Sequence, residues 1–131
     1  DAAIDYGFFT GTAADFLPVV MRIERASQRR WHMLSGLAIR LTSGTAAEAE
    51  CYGVATGVRR QDDGAWTGTM YGGRYLDGFE KRGGEWRISR RNYVMDWSLP
   101  LGLQNDGTPN PDFPLPLLEI VASGHPLYRA M

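Results

Sequence analysis

The sequence predicts an α+β domain in which long, mostly antiparallel strands form one sheet beside a single helix. Three observations carry this expectation. The run of residues 72–97, GGRYLDGFEKRGGEWRISRRNYVMDW, alternates with period two and breaks only at Arg82-Gly83-Gly84-Glu85. Glycines there supply the positive φ of a tight strand connection, so the run reads as a long hairpin. One amphipathic stretch with a helix-capping signature stands near the N-terminus. Further β-compatible segments fill residues 32–81, in the order β-α-β-β-β-β.

The hairpin also sets a packing requirement. Trp86 and Trp97 lie on its strands, and an isolated hairpin cannot shield two indoles from water. Residues 3–9 form a short strand candidate ending before Gly11. Thr12-Ala13-Ala14-Asp15 has capping-box spacing, with the Thr12 hydroxyl free to accept an early helix N–H. The helix is expected over 13–30, with Phe16, Val20 and Ile23 on one stripe and Leu17 beside it. Pro18, past the first turn, is expected to kink the helix or delay its start. Arg22, Arg25, Arg29 and Arg30 read as a solvated helix end, where cations suit the dipole, in preference to a phosphate site.

Strands are expected at 32–42, 45–60 and 66–81, with turns at Gly44 and at Asp62-Asp63-Gly64. A single helix cannot cover a face of such a sheet, so helices upstream of Asp1 or a partner subunit are expected. Asp1-Ala2-Ala3-Ile4 resembles a strand entered mid-domain. Beyond residue 98 the character changes: five of the seven prolines fall within 100–116. Residues 99–131 therefore read as an irregular tail packing on the domain 1–98 or on a neighbouring subunit.

Composition narrows the function. With 131 residues the chain makes one domain with a real core, and 44% hydrophobic content is ordinary for a globular protein. Fourteen basic residues against 15 acidic ones leave a net charge of −1, without the basic footprint that nucleic acid requires. No apolar run reaches membrane-spanning length and no signal peptide opens the chain, so no membrane partner and a cytoplasmic location are expected. Cys51 is the single cysteine, which excludes an intrachain disulfide. The chain lacks a phosphate-binding glycine loop, a nucleophile elbow, a paired-histidine zinc motif and a calcium loop. His32 and His125 have no ligand spacing, so no metal is expected.

His32 is the leading candidate for chemistry. By alternation it shares a face with Leu34, Gly36 and Ala38, opposite Leu37, Ile39 and Leu41. Gly53, Ala55 and Gly57 on the next strand would leave a hollow before it, although small residues also ease sheet bending. A catalytic base and a structural or surface histidine both remain open. Asp77 shares a face with Tyr75 and Phe79; among aromatics it reads as an acid, a base or an orienting partner, or as part of an exposed edge. Arg91 alternates with Ser89, Tyr93 and Met95. Its planar fork suits an enolate-like oxygen, or an ion pair with Asp77 or Asp5. Tyr52 reads as packing with a spare hydroxyl donor.

Together IDYGFFTGTAADF, WHMLSG and YGGRYLDGFEKRGGEWRISRRNYVMDW resemble a SnoaL-like domain of the nuclear-transport-factor-2-like superfamily, over residues 1–98. The resemblance implies a cone-shaped barrel, a strongly curved sheet wrapped around a long helix, enclosing an apolar pocket for a small hydrophobic ligand. It implies a cofactor-independent lyase or isomerase, of dehydratase or dehydrohalogenase type, acting on a steroid, polyketide or aromatic ring compound. His32 matches the family's pocket base, and Arg91 matches a pocket arginine of dehydratase-type members. The residues themselves add Asp77 to His32 and Arg91 as a catalytic candidate, and Tyr75, Tyr52, Phe79 and Tyr93 as substrate-binding candidates. The family's orienting aspartate has no counterpart in this sequence, and Gly36 stands where asparagine is common. Other members are non-catalytic, such as the small subunit of ring-hydroxylating dioxygenases. A homo-oligomer, dimer or trimer, is expected in either case, because the exposed sheet face needs cover.

Overall fold

The computed structural model describes residues 1–103. The elements are β1 (Ala3–Asp5), β2 (Thr10–Thr12), α1 (Ala13–Arg25), β3 (Arg29–Leu41), β4 (Ala46–Arg60), β5 (Trp66–Arg82) and β6 (Glu85–Leu103). The segment expected as one strand over 3–9 is a small hairpin instead. Gly7, at φ 76°, reverses the chain, and its N–H donates to Asp5 Oδ1 at 2.8 Å. β2 can then pair with β1, Ile4 facing Gly11.

Thr12 caps α1 as expected: its hydroxyl accepts from the Asp15 N–H at 3.2 Å and donates to the Asp15 carboxylate at 2.6 Å. Pro18 does not delay the helix, which starts at Ala13 and runs through it. The helix ends at Arg25, five residues earlier than expected. Gln28 N–H donates to the Val58 carbonyl at 2.8 Å, and Arg29 and Arg30 already pair with Val58 and Gly57. Ladder bonds to β4 thus take the backbone groups that another helical turn would have used.

The six strands form one curved, unclosed sheet in the order β2-β1-β6-β5-β4-β3. Neighbours are antiparallel except β1 with β6, where Ile4 lies beside Arg91 in a parallel pair. The expected hairpin is present, with Arg82 paired to Glu85 across Gly83 (φ 59°) and Gly84 (φ 90°). Two consecutive positive φ values define the type I′ turn that long twisted hairpins prefer. β6 continues to Leu103, through residues expected to be irregular. Pro100 is tolerated there because β1 borders β6 only at Arg90, Arg91 and Asn92. The rest of the expected tail, 104–131, lies outside the described residues, as does His125.

A bulge between Ser35 and Ala38, at Gly36 (φ 60°), changes the alternation of β3. His32 and Leu34 pair with Ala55 and Gly53, while Ile39 and Leu41 pair with Ala49 and Ala47. Those four β4 partners alternate along an uninterrupted strand, so all face one way. His32 and Leu34 therefore share a face with Ile39 and Leu41, correcting the simple alternation that set them on opposite faces.

That face is the inner one, toward α1. Ala2, Ile4 and Phe16 are buried there, with Tyr6, Phe9, Val19, Val20 and Ile88 packed around them. The outer face is divided. One half carries ion pairs: Arg40–Glu48 at 2.5 Å, Arg74–Asp96 at 2.9 Å and Arg82–Glu80 at 2.7 Å. The other half is apolar and exposed, with Trp31 (53% accessible), Met33, Trp97 and Leu99 (55%) on it.

Candidate functional site

The C-terminal half of α1 stands off the sheet. Ile23 belongs to the expected apolar stripe, yet it is half exposed, and it forms one wall of a cavity. The opposite wall is the inner face of β3, β4 and β5. The cavity measures about 590 Å³, within the ~300–1,000 Å³ range of small-molecule sites. His32, Ala55 and Tyr71 form one cross-strand row on its floor. With Ala55 between them, the imidazole and the phenol flank a gap, since alternate strands lie roughly 10 Å apart. The next row is Arg30, Gly57 and Thr69. The Arg30 guanidinium donates to the Glu24 carbonyl at 2.8 Å and lies 3.7 Å from its carboxylate. Toward the rim stand Arg59, Gln61 and Thr67, the Gln61 amide donating to the Thr67 hydroxyl at 2.6 Å.

A second constellation lies farther along the same face. The Arg91 guanidinium donates to both Asp77 oxygens, Nε to Oδ1 at 2.8 Å and Nη2 to Oδ2 at 2.6 Å. Asp77 is buried, the one charged residue in that state among the described residues. Arg91 also stacks 4.5 Å from the Tyr75 ring centre. Tyr93 lies 5.1 Å from Tyr75 and 5.1 Å from Tyr6, which continues to Phe16 at 4.6 Å. Burial, reinforced by Tyr75 nearby, pushes the Tyr6 hydroxyl up to about 12 against the opposing pull of Arg91. Burial also raises Tyr75 and Tyr93. All three phenols are therefore protonated donors at neutral pH, and the Asp77 hydrogen bond holds Arg91 firmly charged.

The expected site residues divide between these places. His32 lines the cavity; Asp77, Arg91, Tyr75 and Tyr93 form the buried cluster, and Phe79 is one step beyond it, paired with Ile88. His32 and Asp77 do not meet. Their β4 partners, Ala55 and Ala49, are six residues apart, roughly 20 Å along the strand. Tyr52 is on the outer face, where the Arg74 guanidinium approaches its ring at 6.0 Å. Its hydroxyl is thus directed away from the cavity. Sequence reasoning missed Tyr71, Arg30 and Arg59. Tyr71 was accessible to it, since alternation through Gly73 carries the face of Asp77 and Tyr75 to residue 71.

The curved, unclosed sheet with a helix and a cavity on its inner face has the fold of the nuclear-transport-factor-2-like cones. The SnoaL-like domain model matches residues 1–92, and the chain belongs to that family. Among solved structures it is similar to the hexachlorocyclohexane dehydrochlorinase LinA-type3 from Novosphingobium barchaimii. The identity is 21%, over 77% of this chain and 69% of that one, with a TM-score of 0.63. A candidate scytalone dehydratase from Novosphingobium aromaticivorans matches at 18% identity and TM-score 0.62, covering 100% and 75% of the two chains. The β subunit of a candidate aromatic-ring-hydroxylating dioxygenase from that organism matches at 18% identity and TM-score 0.52, covering 74% and 70%. No curated protein matches this chain. No helix among the described residues is long and apolar enough to cross a membrane, and no cluster of metal-ligating side chains occurs among them.

Proposed function

We propose that the protein is a cofactor-independent lyase or isomerase acting on a small ring compound, with His32 as the general base. One observation carries this reading: His32 lines a ligand-sized cavity on a floor of small residues, facing Tyr71 across Ala55. The imidazole takes a proton from a ring carbon, and the C–H electron pair becomes a new double bond. The group on the adjacent carbon then departs with its bonding electrons, as halide, or as water after gaining a proton. The Tyr71 hydroxyl is the donor on the same row and can hold the developing negative charge. A positioned base supplies about 10²–10⁴-fold, and orientation in the cavity supplies the rest. Asp77 and Arg91 support the wall, because each is occupied by the other. A cytoplasmic location goes with this reading.

The test is hydrogen–deuterium exchange at the acidic carbons of a panel of ring ketones, 2-tetralone among them, in D₂O. The protein should catalyse exchange, and His32→Ala should lose about 10²-fold or more. Exchange unchanged in that variant would remove His32 as the base.

A non-catalytic binding or assembly module is the second reading. It is favoured by the absence of any carboxylate hydrogen bond to His32 among the described residues, and by the likeness to a dioxygenase β subunit. Under both readings the apolar half of the outer face joins copies of the chain into a homo-oligomer.

A further inference from the structure

We infer that the ligand of the inner cavity carries an anionic group, a carboxylate or its equivalent, recognised by Arg59 with Arg30 beside it. This rests on the cavity being the binding site and does not require His32 to be a base.

Four arginines, Arg29, Arg30, Arg59 and Arg60, gather at this end of the sheet, and alternation sends two of them to each face. The two on the outer face are occupied. Arg29 stacks 4.5 Å from the Trp66 ring centre, and Arg60 donates to the Gly64 carbonyl at 3.2 Å. The two on the inner face line the cavity. Arg30 is held by the Glu24 carbonyl, so its guanidinium has a fixed place in the wall. Arg59 has no carboxylate within salt-bridge distance among the described residues.

The charge around the cavity does not cancel. Among the described residues Glu24 is the one carboxylate in its lining, against two guanidinium groups, and it is already shared with Arg30. The negative potential at the C-terminus of α1 is reduced, because three of its last four carbonyls are taken. Ala26 N–H bonds to Arg22 and Ile23, Ser27 N–H bonds to Glu24, and Arg30 joins the Glu24 carbonyl. A positive cleft lined by apolar and hydroxyl side chains selects a ring compound with one negative end. Arginine suits that task, because its planar fork matches a carboxylate in a two-point bond.

Strand geometry gives the ligand a length. Arg30 is two residues from His32 on β3, about 7 Å, and Arg59 is four residues from Ala55 on β4, about 13 Å. A carbon near His32 and a carboxylate near these arginines are then separated by one or two fused rings.

Calorimetric titration with 2-naphthoate and with its uncharged counterpart 2-naphthamide tests the inference. The expected result is 2-naphthoate binding about tenfold tighter, the typical return of one charge-assisted hydrogen bond. Added salt should narrow the gap. Arg59→Gln should abolish the preference and leave the 2-naphthamide affinity in place, which also shows that the variant is folded. Arg59→Lys should keep part of the preference. Equal affinities in the native protein, a preference that survives Arg59→Gln, or failure of both ligands to bind would each overturn the inference. Because the readout is binding, its failure is distinct from unchanged exchange in His32→Ala, which would remove the base alone.

Discussion

The Asp77 carboxylate and the Arg91 guanidinium meet in a two-point ion pair across β5 and β6, at 2.8 and 2.6 Å. Asp77 is 6% accessible and the Arg91 side chain 30%. The pair is thus largely withdrawn from water, and each member is the main compensation for the other's desolvation.

Removing one partner should cost more than removing both. Asp77→Leu and Arg91→Met, each alone, are expected to destabilise the fold by about 3 kcal/mol, because the charge that remains loses its partner. Asp77→Leu combined with Arg91→Met should recover a substantial part of that loss. Urea unfolding of the two single variants and the double variant measures the coupling. Additive losses would mean that the pair is not the unit described.

The aromatic cluster around the pair predicts an alkaline limit to stability. Tyr6 has its folded-state pKa raised, so its contribution is fully present below the ordinary tyrosine value of about 10. It is lost as the pH rises from there through about 12, where Tyr6 must ionise in a buried position. Thermal melts between pH 8 and 12 should show this decline, and Tyr6→Phe should flatten it.

The bulge at Gly36 is expected to be intolerant of side chains. Its φ of 60° suits glycine, and an added Cβ would lie 3.2 Å from the Tyr52 ring. Gly36→Ala should cost about 1–2 kcal/mol. Gly36→Ala with Tyr52→Ala should retain the backbone part of that cost and lose the steric part. Denaturant midpoints of the two variants separate the contributions.

The outer face predicts self-association. Trp31→Glu places a charge in the apolar half, where Met33, Trp97 and Leu99 are also exposed. It should shift the molar mass measured by light scattering toward the monomer and leave the circular dichroism unchanged. A native protein that is already monomeric at tens of micromolar would refute the assignment of this face.

Local chemistry determined a large part of the fold. The Gly83-Gly84 turn, the Thr12 cap and the alternation of residues 72–97 each act over a few residues, so the sequence states them directly. Those same segments carry the family resemblance that the SnoaL-like match bears out. His32 could be singled out because a histidine at a strand start among small residues is also a local pattern.

What only the tertiary structure decided depends on register between strands. The Gly36 bulge returns Ile39 and Leu41 to the face of His32, and further register shifts occur at Gly72/Gly73 and Gly78/Phe79. One inserted residue reverses every side chain beyond it, so an error of one position exchanges lining for surface. Tyr52 and Tyr71 are not cases of this, because β4 and β5 pair without a shift: plain alternation puts Tyr52 on the face opposite Gly53 and Ala55, and Tyr71 on the face of Tyr75. The pairing of Asp77 with Arg91 was open among several partners in the sequence. It was settled by cross-strand distance, which links residues 14 apart in the chain and leaves His32 and Asp77 in separate places.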